Sequence, residues 1–226
     1  MTFAHLNIIM QIAVFLFAIS VHESAHAWMA NRSGDPTARM LGRISLNPIK
    51  HIDPLGTIML PALAIISHFP VIGWAKPTPV DPRNFKQPVR DDILTSVAGP
   101  ISNFVIASAA IFLLLIVAFT SSGGRLLVRA VAQGYIVDTG SPLMPLTLLL
   151  YNAMTINVLL GVFNLIPLPP LDGSHVLRHL LPEEIRRIYD MAGTFGFVLL
   201  FLLGGSLIRS LTNPILAYVD SILTRV

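Results

Sequence analysis

An all-α, polytopic membrane fold is the class this sequence predicts, and three observations predict it. Of 226 residues, 54% are hydrophobic and only 12% charged, against roughly 45–50% and 25% in an ordinary soluble domain. The apolar residues gather into long stretches, each able to cross a hydrocarbon layer of about 30 Å at a rise of 1.5 Å per residue. The polar connections between them are short, so no separate soluble module fits, and residues 1–226 read as a single integral-membrane domain. The expectation is about five transmembrane helices plus a re-entrant hairpin around residues 55–82.

The first apolar helix runs from about Leu6 to Ala30. Nothing before it is basic enough for a secretory leader and no small-residue cleavage site follows, so it reads as a retained helix. His22, Glu23 and His26 lie inside it. A polar loop follows from Asn31 to about Asp53, broken at Asn47-Pro48 and Asp53-Pro54. Leu55 to about Ala75 is apolar but carries Gly56, Pro61, His68, Pro70 and Gly73, a poor composition for a straight helix. Lys76 to Asp92 is basic and proline-rich, favouring extended backbone. Ile93 to Phe119 is a long apolar helix containing Ala98-Gly99-Pro100 and Asn103, and a short surface helix is expected around Arg125 to Val131. Pro142 to about Ile166 forms a further span, ended by the Pro167–Gly173 run. His175 to Tyr189 reads as an amphipathic surface helix. Ala192 to Leu223 reads as one span with a shorter segment after Arg209.

The net charge of +3 comes from basic residues beside apolar segments rather than from a groove-lining run, which argues for membrane topology and against nucleic acid. With no cysteine, there is no disulfide framework, no thiolate metal site and no cysteine nucleophile. Any metal must be held by histidine and carboxylate.

His22-Glu23-Ser24-Ala25-His26 supplies such a set. Residues four apart share one helical face, so both imidazoles can reach one zinc ion, and the glutamate one position on can act as general base toward the attacking water. Seven histidines and three glutamates placed at random would give this pattern in roughly three of a thousand such chains. Ionisable groups inside an apolar helix are costly in lipid and mark a functional site. A catalytic zinc takes three protein ligands and keeps one position open. Candidates for the third ligand are Asp172, Asp53, His51, His175 and His179. Asp172 is the strongest, because it follows an apolar span at a proline-forced break, tolerated at membrane depth only where it is buried in protein or lines a cavity. His51 and His175 read otherwise as partners of the ligands or as interfacial residues, and His5, His68 and His179 as structural.

At these residues the sequence resembles the site-2 protease family of intramembrane zinc metalloproteases. Three stretches carry the resemblance: HESAH at 22–26, AGPISNF at 98–104 and NLIPLPPLDG at 164–173. Residues 34–56, GDPTARMLGRISLNPIKHIDPLG, are similar to a compact bacterial and archaeal branch without a PDZ domain. The resemblance implies Zn2+ as cofactor, with His22, His26 and Asp172 as ligands, Glu23 as catalytic base and Asn164 helping to hold the substrate backbone. It implies a catalytic core over about 6–180, with C-terminal membrane segments over 191–226. The implied role is regulated intramembrane proteolysis, with a single-span membrane protein as substrate.

A shared zinc site also constrains topology, because the helix ends bearing the ligands must lie on one membrane side. If 55–75 re-enters, the loops at 31–54, 76–92 and 167–190 share a face and hold eleven Lys and Arg, against two in the 120–142 loop. That is the positive-inside distribution. It places the active site near the cytosolic face of what is expected to be a prokaryotic cell membrane, with the N-terminus outside. The rival reading is a non-proteolytic zinc-binding membrane protein, such as a metal transporter, which has no need of Glu23 and would stage its ligands along a path.

Overall fold

The computed structural model describes residues 3–59, 75–136 and 140–226. Among them every regular element is helical. The order is α1 (Phe3–Ser33), α2 (Thr37–Met40), α3 (Pro88–Thr120), α4 (Ser122–Ala132), α5 (Leu143–Asn164), α6 (Asp172–Leu180) and α7 (Glu183–Arg225), with short 3-10 turns at Pro48–Lys50 and Pro82–Asn84 and a π-helical turn at Pro54–Met59. Among the described residues three helices are long and apolar enough to cross a membrane: His5–Ser33, Pro88–Thr120 and Leu143–Asn164. The centre of the expected hairpin, 60–74, lies outside the described residues, and so does His68.

Several boundaries differ from the sequence reading. Helix α3 begins at Pro88 rather than near Ile93, because proline at the first helical position forfeits an N–H that had no intrahelical partner anyway. The Asp91 carboxylate then reaches back to the Gln87 N–H at 2.8 Å. The expected surface helix over 175–189 is two helices. Leu181 takes an extended conformation (φ −84°, ψ 139°) before Pro182, and α6 stops there. Beyond it α7 continues unbroken through Arg209 and Pro214 to Arg225, where a span and a separate shorter segment were expected. The surface helix around Arg125 is α4, capped by the Ser121 hydroxyl, which accepts from the Gly124 N–H at 2.9 Å.

The chain divides into two compact units. One comprises residues 1–18, 103–163 and 206–226. Its core is apolar: Ala110, Leu114, Val117 and Ala118 of α3 pack with Val128 of α4, Met154 of α5, and Val219 and Leu223 of α7. Its buried polar groups are neutral: Thr147 and Thr212 bond carbonyls of their own helices, and the amides pair across helices. Asn103 donates to Asn157 at 2.8 Å with both side chains fully buried, and Asn152 donates to Asn7 at 2.8 Å. The Asn157 amide also donates to the Ala153 carbonyl.

The other unit comprises residues 19–102 and 164–205. Much of its backbone is irregular and is held by buried charged groups. Asp35, fully buried, accepts from the Thr37 N–H and hydroxyl, from the Asp81 N–H at 2.8 Å and from the Asn84 amide at 2.9 Å. Burial works against ionisation, but these donors together hold its carboxyl below the usual carboxylate range. The Arg43 guanidinium, also buried, donates to the carbonyls of Lys50, Lys76 and Pro77. The Lys76 N–H donates to the His51 carbonyl at 2.9 Å. Residues 76–81 thereby form an irregular strap anchored at Lys76, Pro77 and Asp81.

Candidate active site

The second half of α1 carries His22, Glu23 and His26, and the four-residue spacing puts both imidazoles on one face. The His26 Nε2 and His22 Nε2 atoms are 3.0 Å apart. Asp172, the first residue of α6, brings Oδ2 to 3.1 Å from His22 Nε2 and 3.3 Å from His26 Nε2. Both histidines are buried and Asp172 is partly so.

Neighbouring backbone fixes this arrangement. The His26 Nδ1 donates to the Thr95 carbonyl at 2.7 Å, which turns Nε2 toward His22 and Asp172. Gly99 of α3 lies against the same atoms. A Cβ there would come within 2.6 Å of His22 Nε2 and closer still to His26 Nε2. Gly173 sets the start of α6: a Cβ there would collide with the Leu165 carbonyl oxygen and lie 2.8 Å from that of Ile166. Only glycine lets the helix begin tight against residues 165–166 and present Asp172. A hydrogen-bonded clamp holds α6 further along, where Asp92 of α3 meets His179 at 2.7 Å and His175 at 3.3 Å, and Arg178 forms a bidentate pair with Asp190 at 2.9 and 3.0 Å.

The donor set fits a zinc ion. Two imidazole nitrogens and a carboxylate oxygen, 3.0–3.3 Å apart, match the base of a tetrahedron whose ligands sit roughly 2.0–2.2 Å from the metal. Asp172 Oδ2 is buried and makes no ordinary hydrogen bond. Burial favours a neutral carboxyl, yet the adjacent His26 and His22 hold it well below the usual range, so it presents as an anion.

Glu23 is held by the strap. The Thr78 N–H donates to Glu23 Oε2 at 2.9 Å, and the Thr78 hydroxyl lies 2.7 Å from the same oxygen.

The other candidate ligands go elsewhere. His51 is fully buried, donates from Nε2 to the Ser45 carbonyl at 2.7 Å and stays neutral because burial and nearby Arg43 depress its pKa. Asp53 accepts from the Leu55 and Gly56 N–H groups at the π-helical turn. His175 and His179 serve the Asp92 clamp, and the hydrogen bond to Asp92 raises the His175 pKa against the opposing effect of burial. His5 is exposed near the start of α1, and Asn164 ends α5. Sequence reasoning missed Thr78, Thr95, Arg43 and the role of Gly99. Thr95 acts through its carbonyl, which leaves no side-chain signal, whereas Pro77-Thr78-Pro79 was readable as a residue fixed in extended backbone.

Residues 10–203 match peptidase family M50. The chain belongs to that family. The resemblance carried by the three motifs is therefore borne out, and with three apolar helices of spanning length the chain is an integral membrane peptidase. It is 35% identical over 192 residues to "Putative zinc metalloprotease YwhC" of Bacillus subtilis (strain 168), covering 85% of this chain and 78% of that protein. It is 29% identical over 197 residues to "Putative zinc metalloprotease Rip2" of Mycolicibacterium smegmatis (strain ATCC 700084 / mc(2)155), covering 86% of this chain and 66% of the relative. The Rip2 protein of Mycobacterium tuberculosis (strain ATCC 25618 / H37Rv) is 30% identical over 207 residues, 86% of this chain and 66% of that one. No solved structure matches the chain significantly.

Proposed function

We propose that the chain is a zinc-dependent intramembrane endopeptidase that hydrolyses a peptide bond within or next to a transmembrane segment of a single-span membrane protein. In this reading His22, His26 and Asp172 hold the zinc and Glu23 is the general base. The observation that carries it is the convergence of three ligand atoms within 3.3 Å of one another beside a glutamate on the same helix. The matched family and the names of the relatives support zinc and proteolysis together.

When bound, zinc lowers the pKa of a coordinated water and polarises the scissile carbonyl. Glu23 takes a proton from the attacking water and returns it to the leaving amine. The Thr95 carbonyl keeps the His26 ring in the tautomer that offers Nε2 to the metal. A helical substrate hides its backbone in intrahelical bonds and must unwind to be cut. Asn164 and an edge of the 55–82 hairpin then receive the freed backbone groups, as an added strand is received at a sheet edge. The role is regulated intramembrane proteolysis.

The site faces the cytosolic side of a prokaryotic cell membrane, with the N-terminus outside and 55–82 dipping in and returning. Two observations support this topology. The eleven-to-two distribution of Lys and Arg is one. The other is that the flanks of the excursion touch: the Lys76 N–H bonds the His51 carbonyl, and Arg43 bonds both Lys50 and Lys76. A segment whose two ends are hydrogen-bonded to each other leaves the membrane on the side it entered. Single cysteines at Ser45, Gln87 and Ser122 report without background in a chain lacking cysteine. A membrane-impermeant thiol reagent on intact cells is expected to label Ser122→Cys alone, and labelling of Gln87→Cys would overturn the topology.

The proteolytic reading is tested by incubating purified protein with single-span substrates, with and without a zinc chelator, beside the Glu23→Gln variant. Glu23→Gln is expected to keep its metal and lose cleavage, because the amide preserves shape but takes no proton. Metal-dependent transport with no cleavage by the parent protein would instead favour the transporter reading.

A further inference from the structure

We propose that Thr78 is the positioning residue for the general base: its backbone N–H and hydroxyl fix one carboxylate oxygen of Glu23 and leave the other to take the proton. The inference rests on the reading of Glu23 as that base.

The N–H of Thr78 donates to Glu23 Oε2 at 2.9 Å. The hydroxyl lies 2.7 Å from Oε2 and 3.0 Å from the Glu23 carbonyl oxygen. It has one proton to give, and the shorter contact to an ionised acceptor is the stronger bond. Both donors therefore act on Oε2, and the carboxylate plane is set by two bonds from one residue.

The backbone at 78 is built for this. Pro77 and Pro79 flank Thr78, and a residue before proline is driven out of the helical region into extended conformation. Neither proline has an N–H, so from 77 to 79 the only backbone donor is that of Thr78, and it goes to the carboxylate. The strap does not need Glu23 in order to stay in place. Arg43 binds the carbonyls of Lys76 and Pro77, the His51 carbonyl takes the Lys76 N–H, and Asp35 takes the Asp81 N–H at 2.8 Å. With anchors on both sides of Thr78, its two bonds to Oε2 act on the glutamate, whose side chain otherwise has rotamers to choose among.

The test compares the parent with Thr78→Val, which keeps the shape and the N–H but removes the hydroxyl, and Thr78→Ser, which keeps the hydroxyl. Zinc content, kcat and KM are measured on each. The infrared carboxylate band of Glu23, identified by its loss in Glu23→Gln, is followed in the same preparations. Thr78→Val is expected to hold zinc as the parent does, with KM unchanged and kcat lower by roughly ten- to a hundredfold, as for a lost hydrogen bond to a charged group. Its Glu23 band should move, while Thr78→Ser restores both kcat and band position. Unchanged kcat in Thr78→Val, equal impairment of both variants, or loss of zinc from Thr78→Val would each overturn the inference. If parent and Glu23→Gln cleave alike, the reading of Glu23 as the base fails, and the band position still decides whether Thr78 holds the carboxylate.

Discussion

The two units bury polar groups of different kinds. In the unit formed by 1–18, 103–163 and 206–226, the buried polar side chains described are neutral: Asn103, Thr147, Asn152, Asn157 and Thr212. In the unit formed by 19–102 and 164–205 they include Asp35, Arg43, Asp91 and the histidines 22, 26 and 51. A helix satisfies its own backbone, so helices packed on one another need little more than apolar contact and an occasional amide pair. Straps, turns and broken helix ends leave N–H and C=O groups that cannot be buried unpaired, and ionised side chains with several acceptor or donor sites take them up. Asp35 and Arg43 are buried where the backbone is irregular, whereas His22 and His26 sit within the regular helix α1 and meet Asp172 at the start of α6.

The largest effect that would sharpen this contrast is steric. Gly99→Ala puts a Cβ against both His Nε2 atoms, and the expected outcome is loss of essentially all bound zinc from folded protein, read by metal analysis beside circular dichroism. Leu114→Ala, in the other unit and fully buried, should cost about 2–5 kcal/mol of stability and leave zinc per folded chain unchanged. Zinc retained by Gly99→Ala would show that the three ligand atoms have slack the geometry denies.

Next in size is the contrast within the metal-site unit. Asp172→Ala removes a ligand and is expected to empty the site at metal concentrations that saturate the parent. His175→Ala loosens only the Asp92 clamp behind it, and loss of such outer partners weakens metal binding by roughly 10–100-fold at most. His51→Ala, whose ring serves Ser45, should disturb zinc less than either. A chelator competition series orders the three, and the reverse order would remove Asp172 from the ligand set.

How much of this was legible beforehand follows from where each signal resides. The HESAH spacing and the proline-forced break before Asp172 are side-chain facts, and they point to the residues that converge. The membrane helices α1, α3 and α5 were legible to within a few residues because apolar runs of that length have few other readings. Thr95 was not legible, since what it offers is a carbonyl that every residue has. The separate segment expected after Arg209 is not there: the helix runs on through Arg209 and Pro214 to Arg225, since a helix of 43 residues loses one hydrogen bond to a proline and keeps the rest. The roles of Asp35 and Arg43 needed the tertiary structure, because each bonds backbone on both sides of the excursion or loop it closes.

Asp35 lets the electrostatic half of the comparison be tested against pH. Its carboxyl is held below the usual range in the folded protein, whereas the unfolded chain titrates near about 3.9. The folded state therefore binds fewer protons around that pH. The stabilisation is complete above the unfolded value and disappears as pH falls through the lowered one. Asp35→Asn is expected to cost about 2–3 kcal/mol near neutral pH, the scale of lost charge-assisted hydrogen bonds. The gap between parent and variant should close as the pH drops below about 4. Thermal unfolding in detergent from pH 3 to 7 measures it, and a gap that stays constant would mean that shape rather than charge holds the loop.

The smallest expected effect tests the neutral half. Asn103 and Asn157 satisfy each other at 2.8 Å with no exposure to solvent. Replacing one by leucine strands a buried amide, and Asn103→Leu or Asn157→Leu alone should cost about 1–3 kcal/mol. Replacing both removes the pair and its desolvation together, so the double variant should cost less than the sum of the singles, a coupling of roughly 0.5–2 kcal/mol. Because neither amide titrates between pH 5 and 8, neither single nor double variant should change its cost over that range, nor alter zinc content. A double variant as costly as the sum would mean that the two amides contribute independently, Asn157 through its bond to the Ala153 carbonyl, and that the unit depends on polar anchoring as much as its counterpart does.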